Sequence, residues 1–120
     1  VKAPMAYRIE YLDGLKSTML LMNGLVGDFT FAASLKDQAE PLSTLFYLPP
    51  NPNVSYSAAL MSNAEEMFIT GKAPYPVERT LLTSGILAAC LGSLGNGQKR
   101  IETPHLKVSY QPGKSTFWRE

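Results

Sequence analysis

The chain has 120 residues, 45% of them apolar, and a net charge of +1, which is one domain's worth of sequence with material for a core. Its 11 Lys and Arg are dispersed, with Lys99-Arg100 the nearest to a cluster, so no basic stripe tracks a phosphate backbone and no nucleic-acid partner is expected. One cysteine excludes an internal disulfide, and no apolar run approaches about 18 residues, so the sequence predicts no membrane partner; with no signal peptide visible, it predicts a cytoplasmic setting.

The chain starts at Val1 and enters a strand pattern within a few residues, which is expected of a fragment whose chemistry lies upstream. Ala6 to Leu12 alternates, with Tyr7, Ile9 and Tyr11 on one side and Arg8 and Glu10 on the other; period two with aromatics predicts a half-buried strand. Asp13-Gly14 predicts a type I′ turn, and Leu15 to Met22 the partner strand. Met19 to Met22 is apolar on both faces, so both need cover. After Asn23-Gly24 and Gly27-Asp28, Phe29 to Leu35 alternates again. Its second face, around Ala32, is small, which fits close packing better than a ligand floor. Lys36 to Pro41 connects to a fourth strand, Leu42 to Leu48, and Pro49-Pro50-Asn51-Pro52 ends it as a rigid crossing.

A helix is predicted from Ser55 or Ser57 to Thr70, where Leu60, Met61, Ala64, Met67 and Phe68 form one stripe and Gly71 supplies a left-handed cap. Glu65 and Glu66 are adjacent, diverge by roughly 100° on a helix, and read as a solvated face. Pro76 fits the first position of a second helix, running to about Leu94, with Glu78 in its first turn. That helix carries Leu81, Leu82, Ile86, Ala89, Cys90 and Leu94 on one stripe, with Leu87 and Leu91 beside it, and is expected to be the most buried element. Gly85 and Gly92 within it predict close contact. Cys90 reads as core packing. Thr103 to Tyr110 predicts a fifth strand, with His105 a surface residue at its start. Gln111 to Glu120 is a tail whose Phe117 and Trp118 dock on a neighbouring surface. The expected fold is α+β, a single domain over 1–120: a mostly antiparallel sheet of about five strands with two helices packed on one face. No residue is assigned a catalytic, cofactor-binding or metal-binding role.

The run TGKAPYPVERTLLTSGILAACLGSLGNGQKRIETPHLKVSY resembles the end of the C-terminal domain of Gfo/Idh/MocA-type oxidoreductases. There a helix ends at a tG-x-x-P turn, here Thr70-Gly71 and Pro74. A second helix then carries small residues and a late Ser, here Leu81 to Ser93, and a polar turn leads to a final strand, here Lys99 to Tyr110. The opening YRIEYLDGLKSTMLLMNGLVGDFTFAASL resembles the sheet hairpins of that domain, and YPVERTLLTSG and LMNGLVGDFTFA resemble bacterial homologues with a dehydrogenase-like N-terminal half. The resemblance implies a missing N-terminal dinucleotide-binding domain for NAD or NADP in the parent protein and a sugar-like substrate. For this chain it implies one wall of the substrate pocket, a homo-oligomer through the sheet face, and no activity alone. The chain has no G-x-G-x-x-G and no lysine in an E-K-P setting, so no catalytic or cofactor residue carries over. The alternative is a non-enzymatic module for sheet-mediated binding or assembly.

Overall fold

The computed structural model describes residues 3–48 and 57–112. The chain divides into two compact units, Val1–Tyr56 and Ser57–Glu120. The proline crossing at 49–52 and the aromatic tail at 117–118 lie outside the described residues.

The first unit contains two hairpins. Strands β1 (Met5–Glu10) and β2 (Lys16–Leu21) pair antiparallel, with Met5 opposite Leu21, Tyr7 opposite Met19 and Glu10 opposite Lys16. Pleating separates the faces as the alternation predicts: Met5, Tyr7, Ile9, Ser17 and Met19 are half-buried, while Arg8, Glu10, Lys16 and Thr18 are exposed. The turn differs from the expected two-residue type I′. Tyr11 N–H donates to Leu15 O at 2.9 Å and Gly14 N–H to Tyr11 O at 3.0 Å, so the loop is three residues, Leu12 to Gly14. Gly14 sits at φ 91°, and the Asp13 carboxylate accepts from Leu15 N–H at 3.0 Å. A three-residue loop closed by a left-handed glycine keeps the strand twist that the two-residue turn would also have kept.

Strands β3 (Phe29–Ala33) and β4 (Leu42–Phe46) form the second hairpin, with Phe29 opposite Phe46 and Ala33 opposite Leu42. The expected single sheet of about five strands is not formed. Two separate two-stranded sheets stand in its place. Each hairpin closes its own ladder locally, and the link between them is taken up by a turn in which Leu25 and Val26 N–H both donate to Met22 O, with Gly24 at φ 83°. Alternation specifies which face a residue takes, and it carries no information about which strand lies at the outer edge.

The second unit holds α1 (Ala58–Thr70) and α2 (Val77–Gly95). Gly71 caps α1 as expected, at φ 67°, donating to Met67 O at 2.9 Å. A Cβ at Gly71 would meet nothing within 4 Å, so the effect of Gly71→Ala is purely conformational. It is expected to destabilise α1 by about 1 kcal/mol, read as a lowered helical signal and faster amide exchange in its last turn. Pro76 precedes α2 in an extended conformation, φ −63° and ψ 141°, one position earlier than expected, and Glu78 lies in the first turn.

The predicted fifth strand is replaced by a 3-10 turn, Pro104–Leu106, inside an extended return segment that forms no ladder among the described residues. Pro104 removes a backbone donor, and Leu106 N–H turns back onto Thr103 O at 2.9 Å. The turn packs on α2, and no comparable packing joins α1 to α2 or sets either helix on a sheet face among the described residues. Helices packed on one face of a sheet are therefore also corrected. Cys90 and Leu106 are the buried hydrophobic side chains among the described residues. The core of this unit is the seam between α2 and its return segment, and Leu81, Leu87, Leu91 and Leu94 lie exposed on the rest of the helix.

Candidate functional site

The tightest assembly of side chains is this seam. Gly85 and Gly92 are seven residues apart, so they fall on one side of α2, two turns from each other. Leu106 fills the notch at Gly85: a Cβ added there would lie 2.9 Å from Leu106 Cδ1 and 3.2 Å from Cγ. Ile101 fills the notch at Gly92, with Cδ1 3.2 Å from the equivalent position. The Ser93 hydroxyl donates to Lys99 O at 2.7 Å, and Gln98 N–H to Ser93 O at 2.7 Å, which fixes the reversal between helix and return segment. Gln98 and Gly97 carry positive φ, 64° and 72°, to make that reversal. The seam is a fastening of apolar knobs into glycine notches.

The reactive side chains singled out in the sequence do not converge. Cys90 is a free, buried thiol within the seam. His105 is exposed within the 3-10 turn, one residue from Leu106, whose side chain holds the turn down. Glu65 and Glu66 are exposed on α1, where Glu66 O accepts from the Thr70 hydroxyl at 2.7 Å. Arg79 stacks over the Tyr75 ring at 4.7 Å, and Arg100 pairs with Glu102 at 2.7 Å, with both side chains open to water. Among the described residues no three of His, Cys, Asp or Glu stand together as metal ligands would. An exposed ion pair of this kind adds little to stability.

The second place with organised geometry is the β3–β4 ribbon. By its register, Phe29, Phe31 and Ala33 share a face with Phe46, Thr44 and Leu42. Phe29 is 65% exposed and Phe46 55%, and Phe31 and Leu42 are open as well. The opposite face carries Thr30, Ala32, Ser43 and Leu45. With the neighbouring Phe31 and Thr44 they line a shallow, open depression of about 440 Å³. Such a surface offers two hydroxyls and apolar contact, with no acid–base pair. On β1–β2 the doubly apolar stretch is only half covered: Met19 is half-buried, and Leu20 beside it is 57% exposed.

By length and mean hydropathy, 19 residues and 1.2, α2 is long and apolar enough to cross a membrane, contrary to the expectation that no segment is. The return segment argues for water. It lies along the helix from Gly92 to Gly85 and brings Arg100, Glu102 and His105 beside the helix middle, where hydrocarbon would leave them unsolvated.

Sequence reasoning marked Gly85 and Gly92 as points of close approach but did not identify their occupants. The signal was present in the matching apolar pair, Ile101 and Leu106, that follows the Gly95-Asn96-Gly97 reversal. Comparison of the chain with protein-family models, with curated proteins and with solved structures finds no match.

Proposed function

We propose that this chain is the substrate-side and assembly domain of a larger NAD(P)-dependent oxidoreductase, inactive alone, with cofactor and catalytic groups supplied by an upstream dinucleotide-binding domain. The reading rests on the resemblance of Thr70 to Tyr110 to the Gfo/Idh/MocA C-terminal domain. The observation that carries its assembly half is the uncovered face of Phe29, Phe31, Leu42 and Phe46. An aromatic-rich sheet face in water is what a partner surface covers.

A second reading, a non-enzymatic assembly module, draws support from the two separate hairpins, which depart from the single sheet that the resemblance implies. Two measurements separate them. Under both readings the 120-residue chain is expected to self-associate in light scattering at high concentration, and Phe31→Lys to weaken that association at least tenfold or so. A monomer throughout would defeat the sheet-face interface. Under the oxidoreductase reading, the longer parent protein enhances nicotinamide emission on titration with NADH or NADPH. A parent that leaves the emission of both cofactors unchanged leaves the module.

A further inference from the structure

We infer that the open side of α2 is a second interface, on which α2 of another copy of this chain packs antiparallel. The return segment uses only one side of the helix: Leu82, Gly85, Ile86, Ala89, Cys90 and Gly92 are half or fully buried. The other side is water-facing and apolar. Val77 is 73% exposed, Leu81 45% and Leu91 55%, and Leu87 and Leu94 flank them.

The spacing on that side fits a helix partner. Residues 77, 81, 84, 88, 91 and 95 follow one another at alternating steps of four and three, the seam of a two-helix coiled packing. An antiparallel copy placed on this seam about Ile86 sets every layer in register at once. Val77 meets the partner's Gly95, Leu81 the partner's Leu91, and Ser84 the partner's Ala88. Large side chains then fill the outer layers, and the small pair lies where the helices cross most closely.

Charge and dipole select the antiparallel direction. No charged residue occurs between Arg79 and Lys99, so the seam itself is neutral. Its ends are not: Glu78 opens the helix, and Lys99 is held beside Ser93 at the other end by the Ser93 hydroxyl. Antiparallel packing sets Glu78 near the partner's Lys99 and opposes the two helix macrodipoles. Parallel packing would instead set Glu78 against its own copy.

The area is sufficient. The exposed parts of Val77, Leu81, Leu87, Leu91 and Leu94 amount to roughly 400 Å² per copy, about 800 Å² for two, before Thr80, Ser84 and Ala88 are added. That approaches the ~1,000 Å² at which an interface becomes specific, and it exceeds the apolar patch that a lone domain usually leaves in water. This interface does not depend on the oxidoreductase reading or on the sheet face.

The test uses the full 120-residue chain carrying Cys90→Ala. Ser84→Cys and Ala88→Cys are introduced separately and then mixed under mild oxidation. The mixture is expected to form a disulfide-linked dimer well in excess of either variant alone. Leu91→Glu, or Leu87→Glu as an independent second variant, is expected to abolish the cross-link with the helical signal unchanged. In sedimentation, either raises the dissociation constant of this contact by at least about tenfold. Phe31→Lys, on the sheet face, should leave the cross-link intact. Equal cross-linking of each variant alone, no cross-link in the mixture, or a cross-link that survives both glutamates would overturn the inference. So would flotation of the chain with phosphatidylcholine–phosphatidylglycerol vesicles accompanied by loss of the dimer, which would assign the same face to a bilayer.

Discussion

Leu106→Ala is expected to destabilise the helical unit by about 2–4 kcal/mol, the range for truncating a buried leucine whose surroundings relax only partly. The side chain is 8% exposed and, with Cys90, supplies the buried apolar contact of the seam. Its loss opens the notch at Gly85 to water and leaves the 3-10 turn, Pro104–Leu106, held by Leu106 N–H to Thr103 O and Lys107 N–H to Pro104 O alone. The measurement is a urea midpoint followed by the helical signal, together with amide exchange from Gly85 to Gly92. Exchange in that stretch should accelerate while the β1–β2 hairpin is unaffected. A midpoint unchanged within about 0.5 kcal/mol, the scale of an ordinary surface substitution, would mean that the return segment does not hold α2.

The second large effect is a reversal of sign at Gly85. Alanine in a helix interior is favoured over glycine by about 1 kcal/mol. Here the new methyl group would crowd Leu106, with Cδ1 at 2.9 Å and Cγ at 3.2 Å, and overpacking a filled site costs about 1–3 kcal/mol. Gly85→Ala alone should therefore be neutral to destabilising, by up to about 2 kcal/mol. In the Leu106→Ala background the obstruction is gone, and the same change should stabilise by about 1 kcal/mol. The difference is a coupling energy between the two positions, available from the four variants. Gly92→Ala is the control. Its methyl group meets only Ile101 Cδ1 at 3.2 Å, the end of an exposed, flexible side chain, so little crowding opposes the propensity gain.

What was legible in the sequence was local. The alternation through Tyr7, Ile9 and Tyr11 located β1 and its half-buried face, and Gly71 and Glu78 marked helix ends that the structure places within a residue or two of expectation. The errors were in pairing. Thr103 to Tyr110 alternates like a strand, yet Leu106 is held by a glycine notch 21 positions earlier, and no strand lies beside the segment for its backbone to join. Likewise β2 and β3 have strand periodicity, but whether they share a ladder depends on the turn between them, which Met22 O closes by accepting two amides. The helix α2 read as apolar nearly all round, which predicted burial on all sides. The structure covers one side and leaves Leu81, Leu87 and Leu91 in water. Nothing in residue type distinguishes an apolar face that meets its own chain from one that meets another. The candidate site was faint for the same reason: it is made of leucine, phenylalanine and glycine, which signal packing before they signal binding.

The fastening of Leu106 into Gly85 also bears on how the chain acquires its shape. Both hairpins and the α2 seam close between positions no more than about two dozen residues apart, and short closures carry small entropic penalties. Each piece can therefore organise on its own, in fast steps, during synthesis, without waiting for distant segments to arrive. The return segment would then lock within moments of clearing the ribosome, so the face of α2 opposite it would already be ordered when a second polypeptide arrives.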